Sequence, residues 1–129
     1  MLNTHYDHIG HLARQNSSQI IKERLGRMVN DLPVVVTGDF NVEDQAPAYQ
    51  KMISGIFHMQ DAHKVCKPDK GPTGTYHDFG RKKPDECPKI DYIFVSDAVK
   101  VKSSRIIDSS LGDGFYLSDH NALCVELTY

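Results

Sequence analysis

The run Pro33-Val34-Val35-Val36-Thr37, followed at once by Gly38-Asp39-Phe40-Asn41, constrains this chain more than any other stretch. Consecutive β-branched residues crowd a helix and suit a pleated strand, and an unbroken apolar run predicts a strand covered on both faces. Such a strand needs layers around it, which points to an α/β protein. Polar residues directly after it sit where open α/β sheets place their ligands.

The flanking sequence supplies those layers. Ile20, Ile21, Leu25, Met28 and Val29 recur at near-helical spacing between Lys22, Glu23, Arg24 and Arg27, predicting a helix over residues 13–30. Asp31-Leu32-Pro33 closes it, because the residue before a proline avoids the helical region. Residues 46–54 read as a short helix with Pro47 in its first turn. Gly, Pro and Lys make 66–88 mostly loop, with a short extended piece at Thr75-Tyr76-His77-Asp78-Phe79. Strands are predicted over 89–96, 99–108 and 121–128, with a glycine-bearing turn at 109–114.

Composition narrows the class further. A chain of 129 residues, 40% hydrophobic and 25% charged, has material for one core. Its formal net charge of −2 displays no broad basic face, although Arg81, Lys82 and Lys83 form a local run. Cys66, Cys87 and Cys124 contain no CxxC pair; a zinc site built on His58, His63 and Cys66 lacks its second ligand pair, and a Cys66–Cys87 bridge stays open. No signal peptide and no apolar run of membrane-spanning length is present, and the compartment is not indicated.

Four short polar motifs carry the chemistry, each with two readings. Gly38-Asp39-Phe40-Asn41 is either an Asx turn or a carboxylate and a carboxamide aimed into one cleft. Ser118-Asp119-His120-Asn121 is either a polar turn or a hard-cation ligand beside a titratable imidazole. Asp91 stands in the apolar strand Ile90-Asp91-Tyr92-Ile93-Phe94, where burial would demand a partner. His5, in Asn3-Thr4-His5-Tyr6-Asp7-His8-Ile9-Gly10, is a strand-end histidine or an anion contact.

In chain order, Asn3-Thr4-His5, Gly38-Asp39-Phe40-Asn41, Ile90-Asp91-Tyr92-Ile93-Phe94 and Ser118-Asp119-His120 together resemble the endonuclease/exonuclease/phosphatase superfamily, and Thr75-Tyr76-His77-Asp78-Phe79 resembles its Thr-aromatic-x-x-Phe segment. The resemblance implies half of a four-layered α/β/β/α sandwich: a mixed, mostly antiparallel sheet with helices on one face. It also implies metal-dependent hydrolysis of phosphodiesters, with Mg²⁺ or Mn²⁺ as cofactor. His120, oriented by Asp91, would face the phosphate; Asp39 would activate water; Asn41 would stabilise the transition state; His5 would contact the phosphate from the opposite side; Asp119 would serve the metal. Asp7, His8 and Arg14 would face substrate. The same motifs serve phosphatases and phospholipase C-like hydrolases, and a non-catalytic interaction module is a further alternative.

The resemblance also implies that residues 1–129 are the carboxy-terminal half of such a domain. The family's principal metal-binding Glu has no counterpart here, since neither Glu23 nor Glu43 stands at a strand end ahead of the Asn-Thr-His segment. The half-domain is expected to leave the inner face of its sheet uncovered, to pair with the missing amino-terminal half or with a second copy, and to be weak or inactive alone. Its expected partners are a phosphoester substrate, nucleic acid among the candidates.

Overall fold

A computed structural model of the chain describes residues 1–28, 32–66 and 70–129. Four strands form the main sheet: β1 (Leu2–His5), β2 (Val35–Asp39), β3 (Gln60–Asp61) and β4 (Asp91–Val95), in the order β1-β2-β4-β3. β1 runs parallel to β2, and β4 is antiparallel to both β2 and β3. Helices α1 (His11–Met28) and α2 (Pro47–Ile53) cover one face. There Val36, Phe40, Tyr49, Met52, Tyr92 and Phe94 are fully buried, with Ile21 and Leu25 of α1 packed against them. The aromatic rings tile this layer at centroid distances of 4.6–5.8 Å, mostly tilted or edge-on, as ring quadrupoles favour.

The opposite face is where the structure departs from expectation. Strands β5 (Lys100–Ile107) and β8 (Ala122–Thr128) pair into a second, antiparallel sheet. Val101, Val125 and Leu127 pack with Val35, Ile93, Val95 and Val99, while the short helix α3 (Ala62–Val65) contributes buried Ala62. The inner face is therefore covered in part, and the described residues form helix, sheet and sheet layers. Alternation explains the division: Val36, Tyr92 and Phe94 turn to the helices, whereas Val35 and Ile93 turn to the second sheet. The covering is thin, since Val35 and Thr37 are only half-buried, so β2 is fully buried on one face rather than two.

Local expectations fare unevenly. Helix α1 begins at His11, and its inward stripe is buried Arg14 and Ser18 with half-buried Ile21 and Leu25, whereas Ile20 and Met28 are exposed. Val29, Asn30 and Asp31 lie outside the described residues. Residues 75–79 are not a strand: Asp78 and Phe79 take left-handed backbone angles and make a tight turn, leaving a single bridge between Tyr76 and His120. The turn at 109–114 extends into a hairpin of β6 (Ser110–Gly112) and β7 (Phe115–Tyr116). The thiols of Cys66 and Cys87 donate to the carbonyls of Ala62 and Lys83, at 3.4 and 3.1 Å, and so are not bridged to each other. Among the described residues no helix is long and apolar enough to cross a membrane.

Candidate active site

Register brings the site together. Asp39 ends β2, and the antiparallel pairing sets it directly opposite Asp91, the first residue of β4. On the other side of β2, the parallel pairing sets His5 beside Asp39. All three share the face turned away from the helices, because they alternate with residues that fill the aromatic core. His120 enters the same space from the second layer, just before β8 begins.

These residues line a cleft of about 550 Å³ together with Asn3, Thr37 and Leu123. His120 donates through Nδ1 to Asp91 Oδ2 at 2.7 Å. That bond fixes the ring and leaves Nε2 facing Asp39 Oδ2 at 3.9 Å, while His5 Nε2 approaches the same oxygen at 3.4 Å. The other Asp39 oxygen accepts the Asn41 amide at 2.8 Å, so the loop is an Asx turn and a cleft-facing carboxylate at once.

Three supports hold this geometry. The buried Thr75 hydroxyl accepts the amides of Ile90 and Asp91 at 3.0 and 3.1 Å, pinning the start of β4. Buried Asn121 ties three segments: its amide reaches Thr75 O, its carboxamide donates to Gly74 O, and its oxygen accepts the Ser109 amide. Gly38 lets β1 and β2 approach, for a Cβ there would fall 1.9 Å from Thr4 O and φ is +154°.

Not every predicted residue converges. The Asn41 carboxamide donates to Tyr6 O at 2.9 Å and does not line the cleft. The Asp119 carbonyl accepts the amides of His77 and Asp78, and its carboxylate stands outside the Asp39–Asp91–His120 group. Asp7 and Arg14 close a loop: Asp7 Oδ1 accepts the Ile9 and Gly10 amides, and buried Arg14 donates to Asp7 O. Sequence reasoning assigned no role to Thr75 or Tyr76, whose ring lies 5.1 Å from that of His120; their place in the Thr-aromatic-x-x-Phe segment was the available signal.

The electrostatics suit a cation. Burial raises the Asp39 carboxyl above its usual range; the Asn41 amide opposes this, and the charge of Asp91 adds to the rise. Ligand atoms of Asp39, Asp91 and His120 all lie within 4.8 Å of one another. Two carboxylates that repel across a half-buried gap fit a hard divalent ion, whose remaining ligands would have to be other oxygens.

Known proteins share this arrangement of the chain. A solved endonuclease/exonuclease/phosphatase from Bacteroides vulgatus is 40% identical and superposes with a TM-score of 0.88, over 96% of this chain and 47% of that one. The mannosyl-6-phosphatase of Bacteroides thetaiotaomicron is 32% identical, with a TM-score of 0.75 over 98% of this chain and 50% of its own. Among curated proteins, Nocturnin of Rattus norvegicus is 28% identical over 107 residues, which are 76% of this chain and 25% of Nocturnin. The chain thus spans about half the length of these solved relatives and about a quarter of the curated one. Residues 3–120 match the model of the Endonuclease/Exonuclease/phosphatase family, and the chain belongs to that family.

Proposed function

We propose that this chain carries the phosphate-facing side of a hydrolase site that cleaves phosphorus esters with water, phosphodiesters in the first instance. The observation that carries the reading is the Asp91–His120 pair at 2.7 Å, which aims the free imidazole nitrogen into a cleft floored by Asp39. With Nδ1 held by Asp91, a ring protonated on both nitrogens donates from Nε2 to a phosphoryl oxygen, and His5 donates from β1. Asp39 accepts the proton of the attacking water as its oxygen bonds to phosphorus; the bond from phosphorus to the leaving oxygen breaks, and that oxygen departs as the alcohol after taking up a proton from solvent water.

Asp39 and Asp91 would hold Mg²⁺ or Mn²⁺, with Asp119 acting from outside that group through water. Such an ion, when bound, supplies neutralisation of charge developing on the phosphoryl and leaving oxygens. The donor set is short of oxygens, and the chain covers 47% of its Bacteroides vulgatus relative. Both support reading it as the carboxy-terminal half of a longer domain, completed by an amino-terminal half or by a second copy.

A phosphomonoester reading is favoured by one observation, the likeness to mannosyl-6-phosphatase. Hydrolysis of bis-p-nitrophenyl phosphate against p-nitrophenyl phosphate, with and without Mg²⁺, separates the two readings. The chain is assayed alone and after mixing with the amino-terminal half of the Bacteroides vulgatus relative. Loss of neither activity in His120→Ala and Asp39→Ala variants would defeat the proposal.

A further inference from the structure

A second groove of about 900 Å³ opens between the loop at 71–74 and the turn at 80–85. Asn121, the neighbour of His120, lines both spaces. Arg81, Lys82 and Lys83 all face this groove, and they are not equivalent. Arg81 pairs with Asp78 at 3.2 Å and Lys83 with Glu86 at 4.0 Å, each within its own turn. Lys82 is half-buried, with Nζ 5.7 Å from the centre of the Tyr76 ring. Among the described residues no carboxylate lies within ion-pairing distance of it.

A lysine resting on an aromatic face, with no carboxylate to neutralise it, keeps its charge available to an external anion. The same Tyr76 ring that lies under Lys82 has its centre 5.1 Å from that of the His120 ring. Asp85 and Asp108 also line the groove, so its charge balance suits one compact anionic group near Lys82 rather than a polyanion along its whole length.

We infer that Lys82, on its Tyr76 platform, determines specificity by binding a second phosphate of the substrate whose ester lies at His120. The substrate class is a compact bisphosphorylated molecule, its two phosphates close enough to reach His120 and Lys82 beside one ring. This rests on the phosphoester reading of the cleft.

The test is an NMR titration of the 129-residue chain with inorganic phosphate, thymidine 5′-monophosphate, thymidine 3′,5′-bisphosphate and a four-residue oligothymidylate. The first two ligands are expected to move the His5 and His120 ring signals. The bisphosphate should also move the amides of Arg81, Lys82 and Lys83, and bind about tenfold tighter than the monophosphate. Lys82→Gln should remove that gain and leave monophosphate affinity within about twofold, whereas Lys82→Arg should keep most of it. Unchanged amide spectra away from the groove show that the variants fold. A gain that survives Lys82→Gln, or no gain at all, overturns the inference while leaving the phosphate reading of the cleft intact. Histidine signals that no phosphate moves defeat that reading, and this inference with it. Tighter binding of the oligothymidylate than of the bisphosphate overturns the compact substrate class.

Discussion

His120 and Asp91 are 29 residues apart in sequence and 2.7 Å apart in space, joined across the gap between the two sheets. The carboxylate can only accept, so the pairing sets the tautomer and leaves Nε2 for the cleft.

That pairing should be expensive to lose. Asp91→Asn keeps the shape but removes the negative charge that lets the ring donate from Nδ1 and Nε2 at once. In the catalytically active assembly, turnover should fall on the order of 10²–10⁴-fold, the range for losing a positioned proton donor. Steady-state hydrolysis of a p-nitrophenyl ester measures it, and an effect below about tenfold would deny His120 its role.

Asp39 should trade stability for chemistry. Its carboxyl is raised by burial and by facing Asp91, so the ionised form costs the fold stability at neutral pH. Asp39→Asn can keep the bond to the Asn41 amide and removes the charge. Melting in chelator should rise by about 3–5 °C, equivalent to roughly 1 kcal/mol in a domain of this size. Millimolar Mg²⁺ or Mn²⁺ should raise the melting temperature of the native chain and leave the variant unmoved, because only the native chain offers both carboxylates.

Gly38→Ala tests the approach of β1 to β2. A methyl group 1.9 Å from Thr4 O has no room, so the strands must part. Denaturant unfolding should show a loss of more than about 1 kcal/mol, and the His5 ring signal should lose its dependence on Asp39.

Behind the site, Lys89 supplies a pH signature. Burial pushes its ammonium down to about 8, against the pull of Asp61, whose carboxylate lies 3.3 Å away. A folded-state value below the unfolded one means that the unfolded chain binds the proton more tightly. This group's contribution to stability therefore rises with pH between about 8 and its ordinary value of 10.5, and urea midpoints across that window should show it. Asp61→Ala removes the partner of a buried cation and should cost about 3–5 kcal/mol at pH 7. Lys89→Met together with Asp61→Asn should recover much of that loss.

What the sequence revealed was local. The β-branched run and its polar end announce β2 and Asp39 because side-chain crowding acts between neighbours. Ile21 and Leu25 announce α1, but the helix begins two residues early, since Asp7 captures the Ile9 and Gly10 amides and turns the chain at Gly10. The Tyr76 segment looks extended and is not. Its His77 and Asp78 amides are taken by the Asp119 carbonyl, a partner some forty residues away that no local pattern discloses. The pairing of β5 with β8 is equally nonlocal, and it is what covers part of the inner face. Gathering His5, Asp39, Asp91 and His120 needed motif order as a guide, whereas Asn41 and Asp119 sit in the same motifs and their side chains go elsewhere.

The second sheet has a mechanical consequence. His120 rides with one plate while Asp39 and His5 ride with the other, and the plates meet through Val125 and Leu127 against Val35 and Ile93. Shaving a methylene from that seam would let the plates slip, opening the spacing between imidazole and carboxylate although no polar group had been touched. Fine tuning of the reaction would then be written in aliphatic side chains that never meet the substrate.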